Sequence, residues 1–130
     1  MNKFTKRLLA LGIALSIVVG VGSVSVFAKT SRASAMVNGA TAIGESSISY
    51  STASASTTYY SAGSMSVNST YTCVNVNTLY VRNINKNSTA YVPVSVNFKA
   101  PAKYKSVAIK SNHRVSFQIN NWSASTRAEY

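Results

Sequence analysis

Beyond residue 28, few side chains could take part in acid–base, nucleophilic or metal chemistry. They are Cys73, His113, Glu45 and Glu129, and the chain contains no Asp. Glycoside hydrolysis needs two carboxyl groups flanking one bond, and the two glutamates stand far apart in the sequence. A Ser-His-Asp triad lacks the acid that would orient its His. A Cys-His pair would require Cys73 and His113 to be brought together from a strand and a turn. Zinc and calcium sites need a cluster of His, Cys or carboxylate ligands, and no such cluster is spelled out. The residues therefore point to a protein that is not an enzyme, with no catalytic residue, no metal ligand and no cofactor. His113, alone beside Arg114 and next to the turn-like Ser111-Asn112, reads as a surface residue. Cys73, flanked by apolar strand residues, reads as a small buried hydrophobe.

The chemistry left over is electrostatic. Ten Lys and Arg against two Glu give residues 29–130 a net charge of +8. The charge is unevenly laid out, since no Lys or Arg occurs between Ala33 and Val81. Arg82, Lys86, Lys99, Lys103, Lys105, Lys110 and Arg114 then follow with no acid among them. A basic tract of this kind suits a polyanion or an anionic surface. It also serves solubility and the protection of sheet edges. Lys99, Lys103, Lys105, Lys110 and Arg114 are the candidate contact residues. Aromatic side chains offer a second kind of surface, since an exposed ring can stack on a sugar or sit at a membrane interface. Tyr59 and Tyr60 are adjacent, so one of them must face outward if the segment is a strand. Trp122 is expected in the core.

Compartment narrows the partner. Lys3, Lys6 and Arg7 precede an apolar run, and the stretch ends Val26-Phe27-Ala28, the pattern of a secretory signal peptide cleaved after about Ala28. A retained membrane anchor is the alternative, because the run is long enough to span a bilayer. An exported chain meets anionic cell-envelope polymers and membrane surfaces rather than nucleic acid, and no nucleic-acid-binding motif is present. A single Cys excludes an internal disulfide. The oligomeric state is left open by the sequence.

These residues must be positioned by strands. Ser, Thr and Asn make up 40 of the 102 residues after Ala28, and the apolar residues among them alternate with period two. Val92, Val94, Val96 and Phe98 form one such set, Val107 and Ile109 a second, Val115, Phe117 and Ile119 a third. Trp122, Ala124, Ala128 and Tyr130 form a fourth, and Met65, Val67, Tyr71 and Cys73 a fifth. Parity switches near Cys73 and at Asn120-Asn121, which calls for a bulge or a turn at each place. Pro93 marks an edge strand or an irregularity. Asn85-Lys86-Asn87-Ser88 and Ser111-Asn112 read as turns, and Ala100-Pro101-Ala102 as a loop. About seven short strands are expected, in a small antiparallel β-sandwich spanning residues 45–130. Residues 29–44 are expected as a flexible leader.

No residue string in the chain is diagnostic of a family. In format, the chain is similar to small exported bacteriocins of Gram-positive bacteria with β-sandwich folds. The likeness covers size, signal peptide, cationic character and an aromatic C-terminus, and it implies an antimicrobial protein acting on a competitor's envelope. Two other readings compete. In one, a self-associating adhesive module pairs copies through the weakly charged strands of 46–72. In the other, a carbohydrate-binding module uses Tyr59, Tyr60 or Trp122.

Overall fold

The computed structural model describes residues 29–130, and the expected signal peptide lies outside the described residues. The chain forms eight strands: β1 (Thr30–Val37), β2 (Ala40–Ile48), β3 (Thr52–Tyr59), β4 (Ser64–Asn75), β5 (Val81–Ala90), β6 (Val94–Lys99), β7 (Tyr104–Phe117) and β8 (Asn120–Glu129). They make two antiparallel four-stranded sheets, ordered β1-β2-β3-β6 and β5-β4-β7-β8. The sheets face each other with β1 over β8, β2 over β7 and β8, β3 over β4 and β7, and β6 over β4 and β5. All eight strands find their partners within residues 30–129.

The sandwich is built as the alternation requires. Val94, Val96 and Phe98 point inward from β6, and Met65, Val67, Tyr71 and Cys73 from β4. Phe98 stacks on Tyr71 at 5.3 Å between ring centroids. Tyr71 places its hydroxyl 2.7 Å from Ser106 Oγ, and Tyr59 donates to the Val37 carbonyl at 2.7 Å. Both rings therefore bury their carbon surface without orphaning the polar atom. Pro93 stands just before β6, which is an edge strand of its sheet, so its missing N–H costs no ladder bond.

Several expectations are corrected. Residues 29–44 are not a loose leader. β1 and β2 pair from Thr30↔Ser47 to Val37↔Ala40 around an Asn38-Gly39 turn in which both residues have positive φ, 48° and 82°. Asn85-Lys86-Asn87-Ser88 is the middle of β5. There Asn85 accepts from Thr70 Oγ1 (2.6 Å) and Asn83 from Thr72 Oγ1 (2.7 Å), so these asparagines serve a ladder rather than a turn. Ser111-Asn112 lies inside β7, the longest strand at 14 residues. The parity switch expected at Cys73 is absent from β4, which keeps its inward alternation through Cys73, but the pairing with β7 does shift register between Thr72 and Cys73. The extra residue on β7 is Val107, since Thr72 pairs with Ala108 and Cys73 with Ser106. Val107 consequently faces outward, while Ile109 is fully buried. The switch at Asn120 is the hairpin turn Gln118-Ile119.

His113 is the largest departure. It lies in β7 with no exposed surface, projecting between the sheets toward Gly44 of β2. A Cβ at position 44 would overlap its ring, so only glycine fits there. Its Nδ1 is 2.8 Å from Thr57 Oγ1 and its Nε2 is 2.7 Å from Thr126 Oγ1. Thr57 donates its own proton to the Ser66 carbonyl (2.8 Å). The polar chain continues from Thr126 to Ser46 (2.6 Å), which donates to Ser111 (2.8 Å), itself 2.7 Å from Ser69. Burial pushes the His113 pKa down to about 4, against a small opposing effect of the Ser56 backbone.

Candidate binding surface

Every connection is short and every strand reverses the one before it, so the connections fall alternately at two ends of the sandwich. One end carries Lys29, the β2–β3 loop (49–51), the β4–β5 loop (76–80), the β6–β7 loop (100–103) and Tyr130. Backbone hydrogen bonds tie these pieces together. Val76 N–H donates to the Lys103 carbonyl (2.9 Å), Ala100 N–H to Ser51 (2.8 Å), Ser106 N–H to Tyr50 (2.7 Å) and Tyr130 N–H to Val107 (3.0 Å). Tyr50 and Tyr130 meet edge to face at 5.7 Å, and Lys29 Nζ lies 4.3 Å from the Tyr130 ring centroid. The opposite end carries Asn38-Gly39, residues 60–63, residues 91–93 and Gln118-Ile119, and none of these connections contains Lys or Arg.

The five candidate cations divide between two places. Lys99 closes β6, Lys103 sits in the next loop at φ 68°, and Lys105 opens β7. All three are exposed at the first end, where exposed Lys29 and Arg82 join them. Lys110 and Arg114 are also exposed, but on the outer face of the β5-β4-β7-β8 sheet, farther along β7. Lys110 stands opposite Arg127, whose guanidinium is held by Glu129 at 2.7 Å. Arg114 stands opposite Ser66 and Ser123. Lys110 and Arg114 therefore belong to a different surface from the other three.

Apolar side chains share the cationic end. Leu79 (73 % exposed), Tyr80 (66 %) and Val81 (54 %) stand together, with Val76, Tyr50 and Val107 also exposed. Asn75 Oδ1 accepts from the N–H groups of Asn77 and Thr78 at 2.9 and 3.0 Å. This side-chain-capped turn lifts Leu79 out at a positive φ of 62°. The even spacing of Val74, Val76 and Tyr80 imitates a continuing strand, which hides the loop in the sequence. The Asn-Val-Asn-Thr run was the available signal for it.

The remaining side chains with reactive potential are spoken for. Cys73 is fully buried, and desolvation raises its thiol pKa although Arg82 works the other way, so it stays a thiol. Among the described residues no three His, Cys, Asp or Glu side chains gather as a metal site would need, and no helix is long and apolar enough to cross a membrane. Tyr59 is buried and Trp122 packs against the core, which leaves Tyr60 outward as the adjacent pair requires. Lys86 donates to the Asn97 carbonyl of edge strand β6 at 2.6 Å and lies 5.3 Å from the Phe98 ring centroid. Comparison with protein-family models, curated proteins and solved structures finds no match to this chain.

Proposed function

We propose that this is an exported, non-enzymatic protein that binds an anionic component of a bacterial cell envelope. The contact surface is the end bearing Lys29, Arg82, Lys99, Lys103 and Lys105. The observation that carries the reading is the gathering of these cations at one end while the connections of the other end carry none. Concentrated like charge raises the local density of an anionic partner and orients its approach. The one acidic side chain at this end, Glu129, is engaged by Arg127. An antimicrobial role on a competitor's surface, the role implied by the bacteriocin-like format, is one use of such binding.

The adhesive reading has less support. Residues 46–72 lie in β2, β3 and β4, each paired on both sides, so they offer no free edge to a second copy. The edge of β6 is occupied in part by Lys86, a common defence against edge pairing.

The test is co-sedimentation of residues 29–130, which hold all eight strands, with Gram-positive cell walls before and after teichoic acid extraction. Binding that fades with added salt and is lost on Lys99/Lys103/Lys105→Ser is the expected result. Binding that ignores both salt and the triple substitution overturns the reading.

A further inference from the structure

The cationic end is amphipathic, and its apolar half is unexplained by attraction to a polyanion. A soluble anionic polymer would neutralise the lysines and leave Leu79, Tyr80, Val81 and Val76 in water. A second copy of the chain would cover the apolar residues but bring two sets of cations face to face, with Glu129 already engaged. A partner that suits both halves is apolar beneath and anionic at its surface. We propose that this end docks on an anionic lipid bilayer, with Leu79 and Tyr80 entering the interfacial zone and Lys29, Arg82, Lys99, Lys103 and Lys105 lying at the headgroups. This rests on the reading of the cationic end as the envelope-binding surface and names its partner as lipid.

Three features support it. Leu79 and Tyr80 close the turn that the Asn75 side chain caps, their backbone bonded back to Asn75 and their side chains exposed. Tyr side chains favour the membrane interface, where the ring is apolar and the hydroxyl wet. Tyr50 and Tyr130 extend the aromatic surface on the same end, with Lys29 against the Tyr130 ring. Basic side chains beside apolar ones are what bind proteins in the plane of an anionic membrane.

The experiment uses phosphatidylcholine vesicles with and without phosphatidylglycerol, carrying brominated acyl chains as a quencher. The parent protein reports through Trp122, which pairs with Val115 toward the opposite end, and its emission should be unmoved. Leu79→Trp should shift to the blue and be quenched only when phosphatidylglycerol is present. Leu79→Ser and Tyr80→Ser should each weaken vesicle binding by about tenfold, the effect of removing one buried apolar side chain, and leave binding to soluble teichoic acid unchanged. Both residues are exposed, so neither substitution disturbs the core. If Leu79→Trp is not quenched while teichoic acid still binds in a salt-dependent way, lipid docking is overturned and the cationic reading stands. If neither partner binds, both fall.

Discussion

His113 shows how far a single residue's meaning depends on what folds against it. In sequence it had Arg114 beside it, no Asp anywhere in the chain and a turn-like Ser-Asn before it, all of which place an imidazole at the surface. In the structure it fills the space that Gly44 leaves on the facing sheet, and its ring nitrogens face Thr57 and Thr126. Nothing local to His113 announces this, because the partners come from three other strands. The groups packed against the ring are hydroxyls and the backbone at Ser56, with no carboxylate to favour the charged form. The pKa therefore falls from 6.5 to about 4 on folding, chiefly by desolvation. Between those values the unfolded chain binds a proton that the folded chain does not, so stability rises with pH across this window. Taking pH 7 down to pH 4 should remove up to about 3 kcal/mol, at about 1.4 kcal/mol for each unit of pKa difference. Urea denaturation across that range measures it. His113→Gln should flatten the slope, and an unchanged slope would show that other groups produce it.

At the scale of elements, what the sequence made legible was the strands whose apolar alternation survives: β4, β6, the later part of β7, and β8. The register shift at Cys73 was not legible in β4 itself, since its extra residue is Val107 on β7 and the even-numbered Val76 and Tyr80 belong to the loop that follows β4. The strands that were missed are those in which small and polar residues carry the inward face. β1 buries Ser31 and Ala33, and β2 buries Ala42, Gly44 and Ser46. Only Val37 and Ile48 there resemble ordinary core. β5 is an edge strand whose alternation lies in Asn83, Asn85 and Asn87, outward residues that pair with β4, so a scan for apolar periodicity passes over it. The Asn38-Gly39 dipeptide was the strongest hairpin signal in the chain, because an I′ turn needs positive φ at both central residues. Reading the region as a leader overrode it. That turn joins β1 to the sheet, and it predicts a specific cost. Gly39 has open space around it at φ 82°, so Gly39→Val introduces backbone strain without a steric clash against neighbours. A loss of about 1–2 kcal/mol is expected from forcing a β-branched residue into the left-handed region. Thermal denaturation with native-state hydrogen exchange on β1 reads it, and exchange should quicken first in β1 and the adjoining half of β2. Uniform quickening across both sheets would mean that β1 is no separate unit.

At the scale of the whole molecule, the fold sorts a basic tract that looks continuous in sequence. Alternating strand directions send Lys99, Lys103 and Lys105 to one end, while the run of β7 carries Lys110 and Arg114 away from it along an outer face. Lys29 and Arg82, remote from that tract or at its margin, arrive at the same end through β1 and β5. Such a sorting is invisible before the connections are known, since it depends on how many times the chain reverses. It separates two sets of cations that a charge count treats alike, and the two should differ in binding. Each Lys or Arg near an anionic lipid surface contributes about 1 kcal/mol. Replacing Lys99, Lys103 and Lys105 with Ser should then weaken binding to phosphatidylglycerol vesicles by about two orders of magnitude at low salt. Lys110/Arg114→Ser should cost less than about threefold if those side chains stay more than a Debye length, about 8 Å at physiological ionic strength, from the headgroups. Isothermal titration at two ionic strengths makes the comparison. The gap between the two variants should narrow as salt rises, because screening removes the charge contribution and leaves that of Leu79 and Tyr80. Equal losses in both variants would place the outer sheet face, rather than the loop end, against the anionic partner.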